Sequence, residues 1–280
     1  MHQEDHETRI VPMEHIRTAM QKAGASYASA RPSEPVAPLK PARGTVWDTL
    51  PLIEPEAAIL EQHRIVAVDK HNPASSAFDI LRTRILQKLR QNDWTSVAIT
   101  SPTAGGGKSS VALNLAFSLS SRQDCRTAVV DFDLRCPSIA STLGAYGSSP
   151  IEDFIRGSRS VHQAFRRVRE NLAVAVNSRP VHFPAELLQG PDTARCVRDI
   201  KQQLAPDVIL YDLPPMLVAD DVMAFLPNVD CAILVVEAEK NTPEQVEGCE
   251  YELISKTNFL GAILNKSRHA PHTSAYGYGG

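Results

Sequence analysis

The sequence predicts an α/β fold: a mostly parallel β-sheet with helices on both faces, preceded by a flexible N-terminal region. Three observations carry that expectation. From residue 65 onward, short and continuously apolar runs alternate with helical patterns, and strands apolar on both faces belong to parallel sheets covered on both sides. A glycine-rich stretch ending in lysine lies between one such run and a helix. Two further apolar runs end in aspartate. Their carboxylates belong at the carboxyl edge of the sheet, where open α/β sheets bind ligands.

Size and composition fit this class. A chain of 280 residues, 43% hydrophobic and 22% charged, holds one sizeable α/β domain plus extra segments. The formal net charge of -3 argues against nucleic acid as a partner held by bulk charge. The N-terminus is polar and acidic, and no apolar run approaches a membrane span. A soluble, cytoplasmic protein is expected, reaching a membrane only through a partner. The five cysteines, Cys125, Cys136, Cys196, Cys231 and Cys249, include no C-x-x-C pair and read as reduced thiols.

Three regions are expected: an N-terminal region over 1–64, a main domain over 65–268 and a glycine- and tyrosine-containing tail over 269–280. In the first, Met13, Ile16, Ala19, Met20 and Ala23 recur at helical spacing within Val11–Ala23. A proline-punctuated linker follows, with Pro32, Pro35, Pro38 and Pro41. Trp47, Leu50, Leu52 and Ile53 then form an apolar patch, which either packs on the main domain or docks a partner.

In the main domain, helices are predicted over 77–89, 109–121, 191–204, 219–226 and 243–256, with Pro243 suited to the first turn of the last. Strands are predicted over 97–100, 127–131, 172–176, 208–212, 231–236 and 260–264. The segment 156–169 carries five arginines and reads as a solvated helix face or a surface for an acidic partner or anionic lipid.

The strongest local signal is Ile99-Thr-Ser-Pro-Thr-Ala-Gly-Gly-Gly-Lys108-Ser109-Ser110, between a strand and a helix, the setting of a phosphate-binding P-loop. Gly105, Gly106 and Gly107 let backbone N–H groups converge. The helix start adds partial positive charge, and Lys108 adds a full one for the β- and γ-phosphates. Ser109 is the expected Mg²⁺ ligand. Gly105 through Ser110 form the expected ATP-binding stretch. Pro102 stands where the usual motif has its first glycine. The strand ends Asp131-Phe-Asp133-Leu-Arg135 and Asp212-Leu-Pro214-Pro215 supply carboxylates to hold the metal or accept a proton.

Together these three elements resemble the bacterial tyrosine kinases (BY-kinases, of the CpsD/CapB type) of polysaccharide synthesis and export loci, within the MinD/ParA-like superfamily of P-loop NTPases. Asp131 to Arg135 matches that family's Asp-x-Asp-x-Arg, and Asp212 to Pro215 its Asp-x-x-Pro. Pro184-Ala-Glu-Leu-Leu188 and Gly261 to Lys266 are similar as well. The resemblance spans roughly 75–265 and implies an ATP- and Mg²⁺-dependent protein-tyrosine autokinase. It implies catalytic roles for Lys108, Asp131, Asp133 and Asp212, and metal contact by Ser109, Asp131 and Asp212. It further implies Asn265 near the adenine, Tyr276 and Tyr278 as phosphoacceptors, a homo-oligomer, and a membrane polysaccharide co-polymerase or activator as partner. Where the family commonly has Glu-x-x-Arg-x-x-Arg, the chain departs at Ser76 and Asp79 and keeps only Arg82.

Two rival readings remain. A ParA/MinD-like positioning ATPase shares the fold, but its loop carries a further lysine where this chain has Thr103. A non-catalytic ATP-binding regulator of a polysaccharide polymerase need not keep every charged group, and the presence of Lys108, Ser109, Asp131, Asp133 and Asp212 together argues against it.

Overall fold

The computed structural model describes residues 45–69, 71–145 and 150–267. The amphipathic stretch Val11–Ala23, the proline-rich linker and the tail tyrosines lie outside the described residues. Seven strands form one sheet: β1 (Ser96–Thr100), β2 (Thr127–Asp131), β3 (Phe165–Arg169), β4 (Leu172–Ala175), β5 (Val208–Asp212), β6 (Cys231–Glu237) and β7 (Asn258–Asn265). Their order is β3-β4-β2-β5-β1-β6-β7. Every neighbouring pair is parallel except β3 with β4.

The strands divide their side chains between two apolar layers, as the two-residue alternation of a strand requires. Ala128, Val130, Ile209 and Tyr211 face one layer, which the helices Pro184–Gln189, Pro191–Asp199 and Pro243–Lys256 close through Leu188, Cys196 and Leu253. Val129, Val208 and Leu210 face the other, closed by Leu89 of the helix Pro73–Asn92 and Leu115 of the helix Lys108–Ser120. This is the parallel, doubly covered sheet the sequence predicts.

Local chemistry sets the helix ends. The Asn72 side chain accepts from Ala74 N, Pro73 takes the first turn, and Asp93 closes the helix at φ 55°. Thr242 and Gln245 form a reciprocal capping box ahead of Pro243–Lys256. Buried Asn114 donates to the carbonyls of Arg64 and Ser110 and accepts from Ala67 N, fixing the chain that enters the domain. The helix before the loop runs over Pro73–Asn92 rather than 77–89, because these polar caps extend it beyond its apolar stripe.

The arginine-rich segment is the main correction. It is not a helix face: its second half is β3, antiparallel to β4. Phe165 is fully buried, edge-on to Phe154 at 6.1 Å, and the Arg169 guanidinium lies 4.8 Å above the Phe117 ring. Pairing and burial override the arginines' preference for a solvated helix.

The apolar patch packs in cis through Trp47 and Leu50, while Leu52 stays exposed. Trp47 is fully buried, donates from Nε1 to Glu170 O at 2.9 Å, and is stacked by Arg126 at 5.2 Å. Arg167 N donates to Pro51 O, and Ile53 N to Arg167 O, which covers the outer edge of β3. Packing therefore extends N-terminal of residue 65. No helix among the described residues is long and apolar enough to cross a membrane.

Candidate active site

Parallel pairing carries the ends of β1, β2 and β5 to one sheet edge. Asp131 is in register with Asp212, and Ile99 of β1 with Asp212 on its other side. Leu213 N donates to Ile99 O, Phe132 N to Asp212 O, Met216 N to Ser101 O and Leu217 N to Pro102 O. The two acidic segments and the entrance of the glycine loop are thus joined by backbone hydrogen bonds.

The loop turns through Gly105 at φ 83° and Gly107 at φ 87°, left-handed conformations that cost glycine little. A Cβ on Gly107 would also collide with the side-chain amide of Asn265. Lys108 then opens the helix, buried to 8% exposure. Its Nζ lies 2.6 Å from Asp133 Oδ2 and 3.9 Å from Asp212 Oδ1. Burial pulls the lysine's pKa down, but Asp212, Asp133 and Asp131 outweigh it and leave it raised. Lys108 Nζ also lies 3.3 Å from Ser109 Oγ, while Ser110 sits half-buried one step further along the helix.

The carboxylates are poorly matched by that one ammonium. Asp131 Oδ2 accepts from Ile139 N at 3.1 Å, but its buried Oδ1 accepts nothing. Neither buried oxygen of Asp212 accepts a hydrogen bond of ordinary geometry. Asp133 Oδ1 accepts from Cys136 N at 2.9 Å. Burial, reinforced by Asp212, raises Asp131 well above the ordinary range. Burial raises Asp212 to about 6 against the pull of Lys108 and the Ser109 hydroxyl. Buried carboxylate oxygens without partners are costly, and hard oxygen donors beside a serine hydroxyl suit Mg²⁺. The residues present therefore fit a magnesium nucleotide.

A protein-family model described as "ParA: NUBPL iron-transfer P-loop NTPase" matches residues 94–272. The chain belongs to this ParA family of P-loop NTPases. Among curated relatives of this ParA-family protein, tyrosine-protein kinase YwqD of Bacillus subtilis is 27% identical over 225 residues, 79% of this chain and 92% of YwqD. The putative tyrosine-protein kinase CapB of Staphylococcus aureus is 27% identical over 74% of this chain and 90% of its own. The putative tyrosine-protein kinase EpsB of Ralstonia solanacearum is matched over only 27% of its length. Among solved structures, the VpsO kinase domain aligns with TM-score 0.61 and 27% identity over 69% of this chain and 95% of that one. The Escherichia coli ETK kinase domain aligns with TM-score 0.67 and 24% identity, over 77% and 84%; at that identity the likeness speaks to fold.

The sequence-predicted residues Gly105, Gly106, Gly107, Lys108, Ser109, Asp131, Asp133 and Asp212 gather at this edge of the ParA-family sheet. Asn265, at the end of β7, donates from Nδ2 to Gly106 O at 2.9 Å, so its side chain meets the loop backbone. Tyr276 and Tyr278 lie outside the described residues. Sequence reasoning passed over two groupings: the partner of Arg135, and the residues that join Lys266 on the glycine loop. Arg135 makes a bidentate pair, 2.6 and 2.9 Å, with fully buried Asp221. Glu237, Lys240, Asn241 and Lys266 crowd the outer side of the glycine loop. The position of Lys240-Asn241, just past the apolar run of β6, was the available signal for the second group.

Proposed function

We propose that this ParA-family NTPase is an ATP-dependent protein-tyrosine kinase that regulates exopolysaccharide or capsule synthesis or export. One observation carries the reading: a P-loop lysine converges with three strand-end aspartates, and buried oxygens of two of them, Asp131 Oδ1 and both of Asp212, accept no hydrogen bond of ordinary geometry. Support comes from relatives named as tyrosine-protein kinases that share most of this chain's length.

Lys108 binds the β- and γ-phosphates, exchanging its Asp133 partner for phosphate oxygen, and Gly105, Gly106 and Gly107 offer the cradle. Ser109, Asp131 and Asp212 would hold Mg²⁺, which would neutralise charge on the phosphate oxygens. A tyrosine hydroxyl attacks the γ-phosphorus, its proton passes to a carboxylate, and the bond to ADP breaks. Asp131 and Asp133 are the two candidate proton acceptors. Asp133 is the better placed, since the transfer of Lys108 to phosphate would free its Oδ2, whereas Asp131 is proposed to hold Mg²⁺.

Tyr276 and Tyr278 are the proposed acceptors. Tyr211 is fully buried against Phe132 and Phe225 and cannot serve. The proposed setting is the cytoplasmic face of the membrane, with a polysaccharide co-polymerase as partner. The chimerical protein CapA2B2 shares the fold at 21% identity and TM-score 0.66. The stretch Val11–Ala23 and the proline-rich linker would reach that partner, and a homo-oligomer would present tails between subunits. Arg82, the one retained position of the assembly pattern, is engaged in cis by Asp79, Ser118 and Ser121, so assembly would use other contacts. Against a ParA/MinD-like positioning ATPase stands Thr103, whose hydroxyl accepts from Asn241 within the same chain where that class has its extra lysine.

The test is incubation with Mg·ATP followed by mass spectrometry for phosphotyrosine, with Lys108→Met as control. Phosphotyrosine in the wild type and none in the variant is expected. ATP hydrolysis without phosphotyrosine, with the membrane partner present, would refute the kinase reading.

A further inference from the structure

Four side chains from the ends of β6 and β7 grip the outer side of the glycine loop. Lys240 Nζ donates to Ala104 O at 3.2 Å, Lys266 Nζ to Gly105 O at 2.7 Å, and Asn265 Nδ2 to Gly106 O at 2.9 Å. Asn241 Nδ2 donates to Thr103 Oγ1 at 2.9 Å. One carboxylate organises the lysines: Glu237 Oε1 is 2.9 Å from Lys266 Nζ, and Oε2 is 3.0 Å from Lys240 Nζ. Its backbone is fixed too, because Glu237 N donates to Asn241 Oδ1 and Ala238 N to Asn265 O. Those two lysines hold the Glu237 carboxyl below its ordinary range.

Three consecutive loop carbonyls are therefore drawn to one side. A trans peptide is planar, and its N–H points opposite its C=O. Holding the carbonyls of Ala104, Gly105 and Gly106 outward turns the amides of Gly105, Gly106 and Gly107 the other way. Successive amides facing one point make an anion-binding nest. Isolated glycines would sample many other arrangements, since glycine has the most conformational freedom to lose.

We infer that Glu237, Lys240 and Lys266 are positioning residues: a carboxylate-centred clip that holds the glycine loop in its phosphate-binding conformation before nucleotide arrives. They act through the loop backbone rather than on the reacting atoms. The inference rests on the nucleotide-binding half of the reading above and is independent of the tyrosine acceptor.

Glu237→Gln gives the sharpest test. As a mere contributor to the local field, this negative charge would repel nucleotide, and removing it would tighten binding. As the centre of the clip, its loss frees both lysines and loosens the loop, so binding weakens. Titration with a fluorescent ADP analogue and steady-state kinetics with Mg·ATP separate the two. The expected result for Glu237→Gln is a Kd and KM about tenfold higher, with kcat within about twofold and a melting temperature near wild type. Lys266→Met should weaken binding several-fold, while Lys266→Arg, which keeps a donor for both Gly105 O and Glu237, should restore most of it. Glu237→Gln binding as tightly as wild type, or tighter, would overturn the clip, as would equal weakening by Lys266→Arg and Lys266→Met. Failure of the wild type to bind the analogue at all would overturn the nucleotide site together with the clip.

Discussion

Asp212→Asn should make the protein more stable when no metal or nucleotide is present, while abolishing phosphotransfer. Asp212 is fully buried, neither oxygen accepts an ordinary hydrogen bond, and burial lifts its pKa from 3.8 to about 6. An acid whose pKa is higher in the folded state binds more protons folded than unfolded between those values. Stability therefore falls as pH rises through that window and stays lowered above it. The gap corresponds to about 3 kcal/mol at pH 7.5. The asparagine gives back part of this, because its amide introduces buried donors that cost about 1–2 kcal/mol if unpaired. A net gain of about 1–2 kcal/mol remains, which raises the melting temperature by roughly 2–8 °C for a unit of this size. The assay is thermal unfolding of both proteins with a chelator at pH 7.5 and again near pH 4. The variant's advantage should vanish at the lower pH, where wild-type Asp212 is itself neutral. Adding Mg·ADP at pH 7.5 should stabilise the wild type more than the variant. A variant that melts at or below the wild-type temperature at pH 7.5, with a difference insensitive to pH, would refute this account of an uncompensated carboxylate.

Other consequences can be measured alongside. Trp47→Ala should destabilise the protein by about 3–5 kcal/mol in denaturant unfolding, because a fully buried indole and its hydrogen bond to Glu170 O are lost; a change below about 1 kcal/mol would return the patch to the role of a partner-docking motif. Arg135→Ala should cost about 1–3 kcal/mol, since it removes the bidentate partner of buried Asp221 from a pair that solvent reaches on the arginine side; an unaffected denaturation midpoint would show that the pair contributes little. Replacing Tyr276 and Tyr278 with Phe should remove most autophosphorylation. Full labelling of that double variant would move the acceptor, with exposed Tyr251 the first alternative among the described residues.

What the sequence settles here is local or periodic. Three glycines before Lys108, between an apolar run and a helix, specify a phosphate loop because the needed backbone angles and charges sit within a few residues of one another. The apolar runs before Asp131 and Asp212 specify strand ends for the same reason. Pro243 announces a helix start because it forgoes a hydrogen bond there, whereas the Asn72 cap that starts its helix ahead of residue 77 is visible only in the structure. Tertiary structure decides whatever depends on which distant segments become neighbours. The strand order sets β2 against β5 and brings Asp131 level with Asp212, and nothing in either run encodes that adjacency. The contact of Lys108 with Asp133, the Arg135–Asp221 pair and the clip on the glycine loop join residues 25 to 161 positions apart. The arginines of β3 show the limit most plainly. Their local chemistry favours a solvated helix, and only pairing with β4 and the burial of Phe165 make them a strand. Trp47 is likewise apolar in any reading, but its place in the core rather than on a partner is fixed by Glu170 and Arg126, far along the chain. Sequence pattern records each segment's own preference, and the free energy of burial shared between segments selects among those preferences.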